Sequence, residues 1–197
     1  MGTMGRPREF DTEQALDKAL DVFWRNGYEG TSISELTQAM GISPPSLYAA
    51  FGNKEKLFRS ALDRYAEVRK QVWSELMSAP TARAMMELLF ERVIGFYAEE
   101  GNPHCCMLVK GTLTSGDCGQ VISDHMSAKR AESEQMLIER FIKAKASGEL
   151  PDEIEAKDLA RYYMTVLDGM SVRAAAGASR DELRKVADLA MRGWPVK

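Results

Sequence analysis

The stretch from Thr31 to Lys54, TSISELTQAMGISPPSLYAAFGNK, reads as two short helices around a tight turn. Ser32 is placed to cap a helix running to Met40, with Glu35 three residues on to complete a capping box. Gly41 supplies the left-handed residue that ends it, and Ile42 is an apolar plug in the turn. Ser43 caps the next helix, and Pro44 and Pro45 occupy its first turn, where missing N–H groups cost least. Ile33, Leu36, Met40 and Ile42 meet Leu47 and Phe51 inside. The outer face of the second helix keeps Pro44, Pro45, Ser46, Tyr48 and Ala49, a surface slim enough to enter a major groove. The spacing predicts a helix-turn-helix that reads DNA.

On the N-terminal side, a first helix is expected over Thr12 to Asn26, with Thr12 as cap, Leu16, Ala19, Leu20 and Phe23 as its apolar stripe and Gly27 as its stop. On the C-terminal side, a fourth helix begins near Asn53, passes Leu57, Leu62, Tyr65, Val72 and Leu76, and ends before Pro80. At about 1.5 Å per residue it is long enough to leave one domain and enter another. Further helices are expected over 81–100, 103–114, 118–147, 155–178 and 180–192, separated by Gly and Pro breaks. No alternating strand pattern and no internal repeat interrupts them. The predicted fold is all-α, about nine helices, with a DNA-binding domain over 1–52 and a helical effector-binding and dimerisation domain over 53–197.

The chain has 197 residues, 45% of them hydrophobic, which is ample for a core. No stretch approaches the roughly 20 apolar residues of a membrane span, and the start lacks the apolar segment of a signal peptide. Three cysteines, two of them adjacent, make no secreted-type disulfide framework. The cytoplasm is the expected location. With two histidines, no G-x-S-x-G, no P-loop and no dinucleotide fingerprint, no catalytic assembly and no cofactor are expected.

The net charge of -3 offers no broad basic field. Residues 1–60 carry seven Lys/Arg against eight Asp/Glu. DNA binding must then come from a few placed cations, from backbone N–H groups at helix starts and from doubling the module in a dimer. Arg6 and Arg8, in Gly5-Arg6-Pro7-Arg8, are placed as a cationic arm ahead of the first helix.

Phe23, Gly27-Tyr28, Thr31, Ile33, Leu36, Gly41-Ile42-Ser43, Leu47-Tyr48, Phe51, Lys54-Glu55 and Leu57-Phe58 fall in the order typical of TetR-family regulators, and the chain resembles that family over residues 5–60. The segments 5–11 and 103–116 resemble a ComR-like or AcrR-like branch. The resemblance implies that the second and third helices read DNA, that the fourth leads into a ligand-binding domain, and that the last two helices form a homodimer. It assigns Tyr48 and Lys54 to phosphates, with Ser32 alongside, and turns Ser34, Pro44, Pro45, Ser46 and Ala49 toward base edges. Many relatives carry a polar or basic residue followed by Gly or Ala where this chain has Pro44 and Pro45. Two prolines donate no hydrogen bonds, so readout is expected to lean on Ser46, on apolar contacts to thymine methyl groups and on the Arg6/Arg8 arm in a minor groove. The implied function is a repressor released from a pseudo-palindromic operator by a small-molecule effector; an all-α enzyme or adaptor with a helix-turn-helix that binds no operator is the other class.

Twelve methionines cluster with aromatics. Trp73, Met77, Met86, Phe90, Phe96, Tyr97, Met107 and Tyr163 are candidates for an adaptable apolar pocket, with Asp168 as its polar handle; plain core is the alternative for each. Cys105 and Cys106 are expected to open a helix, where the dipole lowers a thiol pKa, and so form a candidate redox or electrophile sensor. Small buried hydrophobes are the alternative. A metal site from His104, Cys105, Cys106, Cys118 and His125 matches no zinc template, and no metal is expected. Leu159, Tyr163, Val166 and Met170, and Leu183, Val186 and Ala190, form apolar stripes expected at a dimer interface.

Overall fold

The computed structural model describes residues 10–114 and 120–196. Those residues form nine α-helices and no strand: α1 Thr12–Asn26, α2 Ile33–Met40, α3 Pro44–Phe51, α4 Lys54–Met77, α5 Ala82–Ala98, α6 Met107–Thr114, α7 Gln120–Ala146, α8 Ala156–Ala175 and α9 Arg180–Arg192. The all-α expectation stands. No helix is long and apolar enough to cross a membrane.

Local chemistry sets most boundaries. The Ser32 hydroxyl accepts from the Glu35 amide at 3.1 Å while the Glu35 carboxylate accepts from the Ser32 amide at 2.7 Å, closing the capping box ahead of α2. Gly41 adopts φ 70°, and the next two amides fold back onto the end of α2, Gly41 and Ile42 both donating to the Thr37 carbonyl. The α1 cap differs from expectation: Asp11, not Thr12, accepts from the amides of Glu13 and Gln14 at 2.9 and 3.3 Å. A carboxylate one residue earlier reaches two orphan donors of the first turn.

The helix expected over 103–114 starts only at Met107. The backbone before it is claimed by distant partners. The Trp24 indole N–H donates to the Cys105 carbonyl at 2.6 Å, and the Cys106 amide donates to the Ser171 hydroxyl of α8 at 2.8 Å. These bonds hold residues 103–106 in an irregular connection, so Cys105 and Cys106 precede the helix rather than forming its first turn.

Two hydrophobic cores share α4. The first joins α1, α2 and α3 to the front half of α4 through Phe23, Leu36, Leu47, Phe58 and Leu62, and it recruits Met107, Leu108, Ile122 and Met126. The second gathers the end of α4, α5, the back half of α7, α8 and α9 around Phe90, Phe141, Tyr163 and Trp194. Each fully buried Leu or Phe contributes about 1.5–3 kcal/mol of transfer free energy. The loop at Gly52-Asn53 marks the expected domain boundary, but the first core runs on through Leu57 to Tyr65 of α4.

Candidate DNA interface and internal cavity

On α3, Leu47 points into the first core with 0% exposure, and Phe51 packs beside it half-buried. Pro44, Pro45, Tyr48 and Ala49 are exposed, as are Ser32 and Ser34 at the start of α2. The Ser46 amide donates to the Ser43 hydroxyl at 3.3 Å, and the two hydroxyls lie 2.9 Å apart. The Ser46 side chain is thus part of its own helix cap, and a base contact must compete with that bond. Lys54 opens α4 with its ammonium 4.4 Å from the centre of the Tyr28 ring, a cation–π contact that parks the charge beside the start of α2. Four of the expected DNA-facing residues therefore sit on one exposed face of α3, with Ser32, Ser34 and Lys54 on adjoining helix starts. Arg6 and Arg8 lie outside the described residues.

Helices α1, α4, α5, α6, α7 and α8 line a partly open cavity of about 490 Å³, a size within the range of small-molecule sites. Trp73, Phe96, Tyr97 and Asp168 line it, as expected from the sequence. The other expected pocket residues do not. Met86, Phe90 and Tyr163 are fully buried inside the second core, Met107 packs into the first, and Met77 borders a separate hollow beside α7. Methionine and aromatic content marks apolar interior in general, and the inward phase of each helix decides which residues reach the cavity.

Lining residues outside the expected set come from every helix around the cavity, above all from α1 and α4. Leu20 and Trp24 reach in from α1, and Tyr65, Val68, Arg69 and Val72 from α4. The readable signal is the α4 stripe at 65, 68, 69, 72, 73 and 76, a run of three- and four-residue steps carrying an arginine. The Trp24 ring stacks on Phe96 at 5.3 Å and meets Tyr65 edge-on at 4.8 Å, so one residue of α1 touches both α4 and α5 at the cavity. Arg130 and Asp168 form an ion pair across α7 and α8. Burial pushes the Asp168 carboxyl above its ordinary value, against the pull of Arg130.

Cys106 lines the cavity, its sulfur 3.4 Å from the Tyr65 hydroxyl and 3.9 Å from the Arg69 guanidinium. Cys105 is buried away from it, and desolvation pushes its thiol above the ordinary value. His104 bonds the Tyr97 carbonyl at 2.7 Å, while His125 faces Asp63 of α4 at 3.2 Å. Among the described residues no three His, Cys, Asp or Glu side chains converge as metal ligands; Cys118 lies outside them.

Most of the expected dimer stripe is out of phase with the free surface, and Val186 is the member of it that is exposed. Leu159, Tyr163, Met170, Leu183 and Ala190 are buried in the chain's own second core, and Val166 is half-buried, so none of them forms an open face. The large apolar side chains that α8 and α9 leave exposed are Tyr162, Val172 and Leu189 together with the expected Val186, with Gly169 beside open space. An amphipathic helix with small and apolar residues on two sides has two apolar phases, and packing against α5 and α7 uses the one the sequence makes most prominent.

Residues 15–61 match the family described as "Bacterial regulatory proteins, tetR family". Over 97% of its length the chain is 36% identical to the HTH-type transcriptional repressor ComR of Escherichia coli (strain K12), covering 92% of that protein. It is 30% identical to the repressor BdcR of the same organism, over 98% of this chain and 92% of the relative. Among solved structures, a cysteine mutant of the TetR family regulator CifR in complex with 26-bp double-strand operator DNA superposes with a TM-score of 0.92 at 40% identity, covering 97% of this chain and all of that one. Fold, helix-turn-helix and whole-length similarity agree, and the chain belongs to the tetR family of bacterial transcriptional regulators.

Proposed function

We propose that this protein is a cytoplasmic repressor that binds a pseudo-palindromic operator as a homodimer and leaves it when a small molecule occupies the cavity between α1, α4, α5, α6, α7 and α8. The observation that carries the reading is the α3 face: a helix capped by Ser43 with Leu47 anchored below and, beside the exposed Tyr48, small side chains above, the kind of surface a major groove admits. The operator-bound relative at 40% identity supports it. Lys54 and Tyr48 take phosphates, Ser46 and the two prolines face bases, and Val172, Val186 and Leu189 with Tyr162 form the dimer contact. Occupying the cavity displaces Trp24 and Tyr65, which stand on α1 and α4, and so changes the spacing of the two reading heads. A hundredfold loss of operator affinity needs about 2.7 kcal/mol of such coupling.

The test is a salt titration of binding to the DNA upstream of its own gene. Specific binding with a steep salt slope is expected, and Lys54→Ala should reduce that slope by about two, one contact in each half-site. Val186→Glu should split the dimer and abolish operator binding together. A wild type that sediments as a monomer at micromolar concentration, or binds no fragment more tightly than random DNA, overturns the reading.

A covalent trigger at Cys106 is the second reading, because Cys106 and not Cys105 faces the cavity beside the Tyr65 hydroxyl. Operator release by an electrophile that persists in Cys105→Ser and vanishes in Cys106→Ser would favour it over the noncovalent one.

A further inference from the structure

Three arginines line the cavity, and two of them are answered. Arg92 bonds Glu75 at 2.6 Å, and Arg130 is paired with Asp168. Arg69, on the inner stripe of α4, has no carboxylate within salt-bridge distance among the described residues; its guanidinium meets the Tyr65 side chain, 5.5 Å from the ring centre, and the Cys106 sulfur, and Asp168, paired with Arg130, acts on it only from beyond that distance. Glu99, the other acid at the cavity, already accepts from the Asn102 side chain at 2.8 Å. Burial holds the Tyr65 hydroxyl well above its ordinary value, so Tyr65 stays neutral and gives Arg69 no counter-charge. A guanidinium drawn into an apolar cavity is costly unless paired, and its best complement is a carboxylate taken in two parallel hydrogen bonds.

We propose that the effector is a small monoanion, a carboxylate on an apolar body, anchored by Arg69. The inference rests on the effector-cavity reading above and names the chemistry of its occupant. The body lies against Val72, Val93 and Leu167, with the stacked Trp24 and Phe96 rings as a flat wall. Asp168 and Glu99 set the charge limit. A second negative group on the ligand would face one of these carboxylates, which excludes dicarboxylates and dianionic phosphates and keeps single carboxylates.

Matched probes of similar body test this: 2-naphthoate, its neutral counterpart 2-naphthylmethanol and the dianion 2,6-naphthalenedicarboxylate, with decanoate and 1-decanol as an alkyl pair. Binding to the intact dimer is read by calorimetry and by fluorescence of Trp24 and Trp73 at the cavity wall. At least one acid should bind about tenfold tighter than its alcohol and than the dianion. Arg69→Met should weaken that acid about tenfold to hundredfold while leaving the alcohol within about twofold, and Arg69→Lys, which keeps the charge but not the fork, should fall between. If Arg69→Met does not fold, Arg69→Lys carries the comparison, and acid binding unchanged in it overturns the proposal. Alcohols binding as tightly as acids removes the carboxylate anchor and leaves the cavity reading intact. No binding by any probe, acid or alcohol, overturns the anchor and the cavity reading together.

Discussion

The reading unit and the cavity are built by opposite means. Around α2 and α3 the defining polar contacts are local: Ser32 with Glu35 and Ser43 with Ser46, each spanning three residues. Around the cavity they are long-range: Trp24 to Cys105 spans 81 residues, Cys106 to Ser171 spans 65 and Arg130 to Asp168 spans 38. A part that must fit the fixed shape of a DNA groove is specified by its own short segment. The cavity, which the proposed function makes responsive to an occupant, is assembled from elements distant in the chain. The 103–106 connection is where the two meet, because Trp24 of α1 and Ser171 of α8 both hold its backbone.

The largest expected effect comes from removing one anchor on each side. Phe141 lies fully buried against Tyr163 and Trp194, and Phe141→Ala should cost about 3–5 kcal/mol in denaturant unfolding. Leu47→Ala should cost about 2–5 kcal/mol. The contrast lies in function: below its melting temperature the first variant keeps salt-dependent operator binding, whereas the second loses it because α3 loses its seat. Equal loss of DNA binding in both would mean that the two parts do not differ as described.

Trp24→Phe probes the junction. It keeps most of the ring packing and deletes the indole N–H, leaving the Cys105 carbonyl without its donor, at a cost of about 1–3 kcal/mol. Operator affinity without effector should change little, while the ratio of affinities with and without a cavity ligand should shrink. A thermal midpoint and a release ratio both equal to wild type would show that α1 does not transmit occupancy through this bond.

The capping boxes are equivalent although one opens α2 and the other α9. Ser32→Ala and Ser179→Ala should each cost about 1 kcal/mol, and a much larger loss at Ser32 in chemical denaturation would mean that this cap supports more than its own helix. The smallest effect is the response to acid. Glu35 and Glu182 are both held below the ordinary glutamate value of 4.5, first by the backbone N–H of their capping serine and then by its hydroxyl. A lowered folded-state value means that this stabilisation is present above pH 4.5 and fades as pH falls through the folded value. The double variant Glu35→Gln, Glu182→Gln should show a flatter loss of stability with acid than wild type; an identical acid profile would remove the two carboxylates from the account.

Most of the helix breaks, the capping box at Ser32, the turn at Gly41 and the exposed face of α3 follow from the sequence by itself. The cap and the turn rest on side-chain to backbone bonds within four residues and on glycine's access to positive φ, and such chemistry is complete within a short segment. Tertiary structure decided the rest. It delayed α6 to Met107 because Trp24 and Ser171 claim the preceding backbone, turned Leu159 and Tyr163 inward instead of toward a partner, and left Met86 and Phe90 as core. It also brought Trp24 of α1 to the cavity beside Phe96 and set the α4 stripe that carries Arg69 opposite Asp168, a pairing of distant elements that spacing along one helix does not indicate. Periodicity shows that a helix has an apolar side, but which neighbour covers that side is settled only when all the helices compete for the same interior.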